Sequence, residues 1–294
     1  NNPWEMSITL YMLGLLAANF QNDRPRARSF YEEGVQQARL SGDRRRISLG
    51  LAYLAFLNLD QGNPVAARAL YVEGLALVRE IEDRRVIHER LGDIAMADIF
   101  LEDYTQAEQS LNKVSAFCRE AGDPAGLIPA LINLGVIAWA KGDLTLFSER
   151  LAEALPIAKQ LNNQQWIANV LFNQSICDRL NSKLPAAREN LTQSLKLNIA
   201  ENIPWGIYGC LDAFGVLATA QGSAERAALL YGAAQKMRDA IPSWAEFPIF
   251  RRDRESALAS TRSALGDIAF DEANAKGQAM TSEEAIKYAL EETK

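Results

Sequence analysis

The amino-acid sequence predicts an all-α solenoid, in which six helical hairpins with a period of 40 residues stack on one another and end in a helical cap. This prediction follows from the spacing of two sets of short polar breaks. One set recurs every 40 residues, at Asn22, Gly62, Glu102, Gly142, Ser182 and Gly222. The other set lies halfway between, at Gly42, Glu82, Gly122, Asn162 and Asn202. Each period therefore holds two apolar segments of roughly 17 residues, as a helical hairpin requires.

The fourth period shows most clearly why the chain turns where it does. Leu134 and Ile137 lie on one helical face before the turn, and Leu151 continues the apolar pattern after it. Gly142 suits the position after a helix end, which requires a positive φ. Asp143 suits the N-cap of the next helix, because its carboxylate can accept hydrogen bonds from the amides of the first turn.

Small and large residues alternate down the second helix of each period, as close helix packing requires. The small column is Ala27, Ala67, Ala107, Phe147, Ala187 and Ala227, in which Phe147 is the exception. The large column is Tyr31, Tyr71, Leu111, Leu151, Leu191 and Tyr231. Together with Leu134-Gly135 and the Gly142-Asp143 turn, this pattern resembles the tetratricopeptide repeat (TPR) over about 240 residues. The resemblance implies a right-handed superhelix, and the period of 40 rather than about 34 implies longer helices.

The repeat stops after Ala240, so we predict a superhelical array over 1–240 and capping helices over 241–294. Within the second region, Ile241-Pro242-Ser243-Trp244 is predicted to break the helix. Helices are predicted over 247–265, 268–276 and 282–292, the last starting at a capping box formed by Thr281 and Glu284.

Three C-terminal segments resemble the C-termini of bacterial signalling ATPases of the STAND class. They are L-Y-G-A-A-Q-K-M-R-D-A-I from Leu230, R-S-A-L-G-D-I-A-F-D-E-A from Arg262 and G-Q-A-M-T-S-E-E-A-I-K-Y-A-L from Gly277. In that class a nucleotide-binding module precedes a TPR array, and the effector is often a LuxR-type or winged-helix DNA-binding domain. The resemblance implies a sensor role in a multidomain transcriptional regulator. The same segments could also serve as the cap that every solenoid needs, and both interpretations can hold together.

Composition restricts the ligand and the compartment. The net charge of −6 argues against nucleic acid as a direct ligand, since phosphate binding needs a basic field. Cys118, Cys177 and Cys210 form no C-x-x-C pair and indicate neither a disulfide framework nor a zinc site. No apolar run is long enough for a membrane span, so we expect a cytoplasmic chain without membrane contact. The start at Asn1 rather than methionine suggests a piece of a longer protein.

The residues that catalysis usually needs are scarce. His88 is the only histidine, which argues against a histidine-pair metal site and against a Ser-His-Asp triad. The sequence contains neither a G-x-x-x-x-G-K-[ST] loop nor a G-x-G-x-x-G motif. We therefore expect no enzymatic activity, no metal and no cofactor.

The TPR resemblance places the concave groove on the first helix of each hairpin. Carrying over two groove positions gives a polar track of Glu89, Asp93, Asn133, Asn169 and Asn173. Asparagine offers both a donor and an acceptor to a peptide backbone, which makes the asparagines of this track candidate ligand contacts. The aromatic residues Phe56, Phe100, Trp139 and Phe172 could provide side-chain pockets beside it. Alternatively, the asparagines bond neighbouring helices or water, and the aromatic residues belong to the core.

One basic cluster, Arg251, Arg252 and Arg254, lies on a predicted C-terminal helix. It is either a solvated face or a contact with another domain of the parent protein. From these observations we predict a non-enzymatic recognition array that binds an extended peptide or a protein segment. A small-molecule inducer site and a stand-alone scaffold for complex assembly are the alternatives.

Overall fold

The computed structural model describes residues 2–19, 23–240 and 246–291. Every regular element in these three ranges is helical and none is a strand, which confirms the all-α prediction. The hairpin helices are α1 (Pro3–Asn19), α2 (Arg24–Ser41), α3 (Arg44–Asp60), α4 (Pro64–Arg79), α5 (Arg84–Phe100), α6 (Tyr104–Ala121), α7 (Pro124–Ala140), α8 (Leu144–Gln160), α9 (Gln164–Leu180), α10 (Leu184–Ala200), α11 (Pro204–Ala220) and α12 (Ala224–Ala240). Three more helices follow, α13 (Pro248–Leu265), α14 (Asp267–Ala279) and α15 (Ser282–Leu290).

The predicted turn positions are confirmed wherever the structure describes them. Each has a positive φ: Gly42, Gly62, Glu82, Glu102, Gly122, Gly142, Asn162, Ser182, Asn202 and Gly222. At one of these turns the amide of Gly62 donates to the carbonyl of Leu59 at 2.9 Å, and the amide of Asn63 donates to the carbonyl of Asn58 at 2.8 Å. These bonds satisfy carbonyls that the ended helix leaves unpaired. The predicted breaks at Asn22 and at Ile241–Trp244 lie outside the described residues.

The N-caps follow the predicted chemistry. The Asp143 carboxylate accepts a hydrogen bond from the amide of Leu146 at 2.9 Å. Equivalent bonds form at Asp43 and Asp103, one full hairpin or more away along the chain. A carboxylate at the N-cap also interacts favourably with the positive end of the helix dipole.

The chain divides into two compact units, residues 1–126 and 127–294. Unit 1 contains α1 to α6 and the first turn of α7, and unit 2 contains the rest of α7 and all later helices. In both units a large side chain of the second helix fits against a small residue of the first. A Cβ at Gly14 in unit 1 would lie 2.3 Å from the Tyr31 ring, and one at Gly215 in unit 2 would lie 2.6 Å from the Tyr231 ring. Such close packing explains the small and large columns of the sequence.

Helix α14 packs directly on α12 in unit 2. A Cβ added at Gly277 would lie 2.0 Å from the carbonyl oxygen of Leu229, so the two backbones touch. Phe270 and Ala273 are buried against Ala228 in the same contact. The sequence predicted a helix ending at residue 276, and this boundary was wrong. The helix continues to Ala279, because Gly277 provides the close approach to α12 rather than a helix end.

Helix α15 is held at both ends. The predicted capping box is present, with the Thr281 hydroxyl accepting from the Glu284 amide at 3.2 Å and the Thr281 amide donating to Glu284 at 2.8 Å. At the other end, Arg188 donates to the carbonyl of Glu291 at 2.6 Å and Arg226 donates to the carbonyl of Tyr288 at 2.7 Å. Two cations at a helix C-terminus satisfy carbonyls that have no partner inside the helix.

Candidate functional site

We call the first helix of each hairpin an A helix, and the side of it that carries the predicted groove positions the A face. The unit-1 A face consists of Leu49, Tyr53 and Phe56 on α3 and of Glu89, Gly92, Asp93 and Phe100 on α5. The unit-2 A face consists of Asn133 and Trp139 on α7, Asn169, Phe172, Asn173 and Arg179 on α9, and Asp212 and Thr219 on α11. The A helices α3 and α5 contact each other in unit 1, and α9 contacts α11 in unit 2.

The unit-1 A face exposes large apolar side chains. Leu49 and Phe56 of α3 keep 38% and 37% of their surface exposed. Between them on the same helical face lies Tyr53, which stacks on Tyr31 with a ring-centroid distance of 5.0 Å. Next to this strip, on α5, a Cβ added at Gly92 would meet no atom within 4 Å. The unit-1 A face therefore has room for a ligand beside its apolar groups.

An acidic pair on the same face surrounds a buried arginine. Arg90 is 7% exposed, and its Nε lies 3.1 Å from the Asp93 carboxylate. Its Nη2 lies 3.8 Å from the Glu89 carboxylate, and its Nη1 donates to the carbonyl of Ser48 at 3.3 Å. Two carboxylates and one guanidinium leave one negative charge on this part of the surface.

Burial changes the protonation of the inner carboxylate of this pair. It raises the pKa of Asp93 from 3.8 to about 6, and the neighbouring Glu89 raises it further while Arg90 opposes the shift. The Asp93 side chain still keeps 28% of its surface exposed, so a ligand can reach it. The charge of the face therefore increases as the pH rises through about 6.

The unit-2 A face is covered by the chain's own helix α13. The ring of Phe250 lies 5.2 Å from the ring of Trp139 and 6.1 Å from the ring of Phe172, measured between centroids. Both aromatic residues were predicted as side-chain pockets of the groove, and in the structure the occupant of that place is Phe250. Helix α13 therefore reaches beyond the last hairpin, to α9 and α7.

Polar contacts continue this docking along α13. Asp253 pairs with Arg179 of α9 at 2.6 Å. One helical turn before its end, Thr261 shares a hydrogen bond of 2.7 Å with the hydroxyl of Thr219 on α11. Aromatic, ionic and hydroxyl contacts thus follow one another along the length of the helix.

The centre of this contact is a cluster of buried charges. Asp212 of α11 is 8% exposed and pairs with Arg238 of α12, while Arg254 of α13 lies 3.6 Å from the same carboxylate. Arg254 also pairs with Glu246 at 2.8 Å. Burial raises the pKa of Asp212, and the two arginines oppose that shift. Arg254, predicted to contact another domain, is therefore bound within the chain, whereas Arg251 and Arg252 are exposed on α13.

The predicted asparagines behave differently from one another. Asn173 is 3% exposed, and its Nδ2 donates to the backbone carbonyl and to the side-chain oxygen of Asn169, both at 2.9 Å. Within the described part of the chain, the Asn173 Oδ1 has no hydrogen-bond partner. Asn133 lies half-buried on α7. The polar track predicted from the sequence thus divides between the two units, with Glu89 and Asp93 in unit 1 and the three asparagines in unit 2.

Two functional features were missed from the sequence. Arg90 could have been found, because it stands between Glu89 and Asp93 at spacings that bring all three together on one helix. The docking of α13 on α7, α9 and α11 had no comparable local signal. Of the remaining candidates, His88 stacks on Phe117 with a centroid distance of 3.9 Å, a contact inside its own hairpin.

Two further searches of the described ranges bear on the class of site. They contain no group of three or more histidine, cysteine, aspartate or glutamate side chains that could hold a metal ion. In the same ranges, no helix combines the length and apolarity that crossing a membrane requires.

No protein-family model matches this chain, and no curated protein matches it either. Solved structures do. Aspartyl phosphate phosphatase F from Bacillus subtilis is similar with a TM-score of 0.70 and 12% identity, over 94% of this chain and 71% of that one. A Rap protein complexed with Competence and Sporulation Factor is similar with a TM-score of 0.62 and 14% identity, over 88% and 76%.

The quorum sensor NprR from B. thuringiensis, in its apo form, is similar with a TM-score of 0.54 and 13% identity, over 92% of this chain and 86% of that one. At such identities the likeness concerns the fold. The chain is thus a TPR-like helical-repeat protein, as its sequence predicted.

Proposed function

We propose that this chain is a non-catalytic recognition array, whose unit-1 A face binds an extended peptide or protein segment. The observation that carries this proposal is the exposed apolar strip of Leu49 and Phe56 beside the acidic pair Glu89 and Asp93. An apolar strip with a charged edge fits a partner that has both apolar and cationic side chains.

Charge favours a basic partner. The whole chain carries a net charge of −6, and the acidic pair keeps one negative charge after pairing with Arg90. A peptide lysine or arginine near Asp93 would replace solvent as the partner of a carboxylate that burial disfavours. The open space at Gly92 allows the peptide backbone to approach α5 closely.

The similar structures support a role in signal recognition. One of them is a Rap protein complexed with Competence and Sporulation Factor, and another is described as a quorum sensor. Together with the resemblance of the C-terminal segments to STAND-class regulators, they favour a sensor region within a larger signalling protein. We propose that 1–240 form the array and 241–294 its cap.

In such a regulator the ligand would act by shifting a conformational equilibrium. It can do so only by binding one state of the array better than another, and the difference in affinity sets the size of the response. Arg251 and Arg252, exposed on α13, are the proposed contacts with another domain of the parent protein. A nucleotide-binding loop encoded upstream of Asn1 would support this context, and an unrelated upstream sequence would oppose it.

Selection from a random peptide library displayed on phage tests the binding proposal. The full chain is the bait, and enriched peptides are resynthesised and titrated by fluorescence polarisation. We expect apolar peptides with lysine or arginine, whose affinity falls about tenfold or more in the double variant Glu89→Gln, Asp93→Asn. The matched control is Glu33→Gln, an exposed acidic residue on α2, which should leave affinity unchanged. Peptides that bind the double variant as well as the wild type would contradict the proposal.

A further inference from the structure

We infer that the unit-2 A face is a docking site for an amphipathic helix of a partner protein, and that α13 occupies it as an exchangeable internal ligand. The partner helix carries an aromatic residue followed, one turn later, by an acidic residue and an arginine. This inference rests on the proposed function only in taking the A face as the recognition surface. It concerns a different unit and a helical rather than an extended ligand.

The contacts of α13 define what the site recognises. Phe250, Asp253, Arg254 and Thr261 occur at relative positions 0, 3, 4 and 11, which places them along one side of a helix. Each meets its own kind of group: rings for Phe250, Arg179 for Asp253, Asp212 for Arg254 and the Thr219 hydroxyl for Thr261. The surface is therefore specific for a pattern of side chains, and not merely apolar.

The attachment of α13 differs in kind from that of α14. Helix α14 meets α12 with its backbone at Gly277, and Phe270 and Ala273 are buried in that contact. Helix α13 has 18 residues, yet only Pro248 and Thr261 are fully buried. Its docking depends instead on a few polar groups and partly buried rings. Such a contact can be exchanged for an equivalent one, because each group finds the same partner in a competing helix.

The α13 contact also leaves hydrogen bonds unmet. Among the described residues, the Asn173 Oδ1 on the unit-2 A face and the Arg238 Nε in the Asp212 cluster are buried without a partner. A buried polar group without a partner opposes the state that buries it. A competing helix that donates a hydrogen bond to Asn173 would therefore gain an interaction that α13 does not provide.

The connection to α14 allows α13 to leave independently. Gly266 joins the two helices with φ 77° and ψ 157°, a backbone conformation that is essentially restricted to glycine. The direction of the chain therefore changes at one flexible residue between two intact helices. A rotation at Gly266 can move α13 while α14 keeps its contact with α12.

A labelled synthetic peptide of residues 246–266 tests this inference against the full chain. In the wild type, α13 competes from the same molecule at an effective concentration that reaches the millimolar range for short linkers. In the double variant Phe250→Asp, Arg254→Glu this competition is weakened. We expect fluorescence polarisation to show that the peptide binds the variant at least about tenfold more tightly than the wild type.

Two controls make the result specific. A chain carrying Glu255→Lys, a change at an exposed residue of α13, should bind the peptide as weakly as the wild type. A peptide with the same aspartate and glutamate substitutions should not bind either protein. Equal affinity of the unchanged peptide for the wild type and the double variant would overturn the inference.

Hydrogen exchange on the wild type provides a second test that needs no substitution. We expect the amides of α13 to exchange through an opening that leaves α12 and α14 protected. Exchange of α13 only together with α12 and α14, by global unfolding, would overturn the inference even if the double variant failed to fold. A chain that selects peptides dependent on Glu89 and yet fails both tests would retain the proposed function and lose this inference.

Discussion

The same repeat position has opposite surroundings in the two units. Residues 92, 172 and 212 occupy one register of the period of 40 residues. In unit 1 the residue is Gly92, and a side chain there would meet no atom within 4 Å. In unit 2 the residues are Phe172, which packs on Phe250, and Asp212, which pairs with Arg254. A repeated backbone thus offers one face many times, and the side chain at this position decides what the face can hold.

The charges of the two faces differ in the same way. In unit 1, Arg90 comes from the same helix as the carboxylates that it pairs with, so the face is left with a net negative charge. In unit 2, one of the two arginines around Asp212 is Arg254, which α13 brings to the site. An added helix supplies in unit 2 the kind of cationic group that a ligand would supply in unit 1.

The largest expected effect concerns the permanent contact of α14, against which the exchangeable contact of α13 is judged. Gly277→Val should lower the free energy of unfolding by about 3 kcal/mol, because the new side chain would overlap the Leu229 carbonyl and separate two backbones. Gly92→Ala in unit 1 is the matched control. It should raise stability by about 0.5–1 kcal/mol, since alanine favours the helix and the space is open. Urea unfolding followed by circular dichroism measures both changes.

These two glycines would contradict the comparison if they behaved alike. A tolerated valine at Gly277 would mean that α14 can move away from α12 as easily as α13 is proposed to leave its site. A destabilising alanine at Gly92 would mean that the unit-1 A face is filled.

The next effect separates the arginines of α13. Arg254→Ala should cost about 2 kcal/mol, because it removes one of two cations from the buried Asp212 carboxylate. Arg251→Ala, three residues earlier on the exposed side, should change stability by less than about 0.5 kcal/mol. Urea unfolding gives both values, and hydrogen exchange shows whether the loss is confined to α13. Equal costs for the two substitutions would mean that the Asp212 cluster does not hold α13 in place.

A smaller effect should distinguish the unit-1 face by its pH dependence. The pKa of Asp93 is about 6 in the folded chain against 3.8 without these surroundings, so between these values the folded state binds more protons than the unfolded state. Stability contributed by this group is therefore lost as the pH rises from about 4 to 6. Each pKa unit corresponds to about 1.4 kcal/mol, and partial exposure of the side chain reduces the whole effect to about 1–2 kcal/mol.

Asp93→Asn should abolish this dependence, since the amide does not titrate while Glu89 and Arg90 remain. Urea unfolding of both proteins at pH 4.5 and pH 7 measures it: the difference between wild type and variant should change by about 1–2 kcal/mol. Parallel pH profiles for the two proteins would show that Asp93 is solvated like an ordinary surface carboxylate.

The sequence could predict the features that local chemistry determines. Turn residues were visible because glycine and asparagine favour a positive φ, and the N-caps because aspartate bonds free amides. The columns of alanine and tyrosine predicted the core, since close packing restricts side-chain size at each repeat. The candidate site was predictable only in part. Its positions on the A helices followed from the repeat, whereas the occupancy of the unit-2 A face did not.

The occupancy was not visible because it depends on contacts that are distant in the sequence. Arg254 reaches Asp212 across 42 positions, and Phe250 reaches Trp139 across 111. Neither residue forms a recognisable pattern with its partner, and an amphipathic helix such as α13 can bury its apolar side on many surfaces. In the sequence, therefore, an internal ligand and a capping helix look the same.

The smallest expected effect tests whether the two units share the turn chemistry that the repeat implies. Glu82 in unit 1 and Ser182 in unit 2 have φ values of 53° and 59°, which cost free energy for residues with a Cβ. Glycine at either position should raise the free energy of unfolding by about 0.5–1 kcal/mol, offset in part by the greater entropy of glycine in the unfolded chain. Thermal or urea unfolding of Glu82→Gly and Ser182→Gly measures the gains. Similar gains would mean that the turns are equivalent and that the units differ in their A faces. A gain in one unit alone would place part of the difference in the turns themselves.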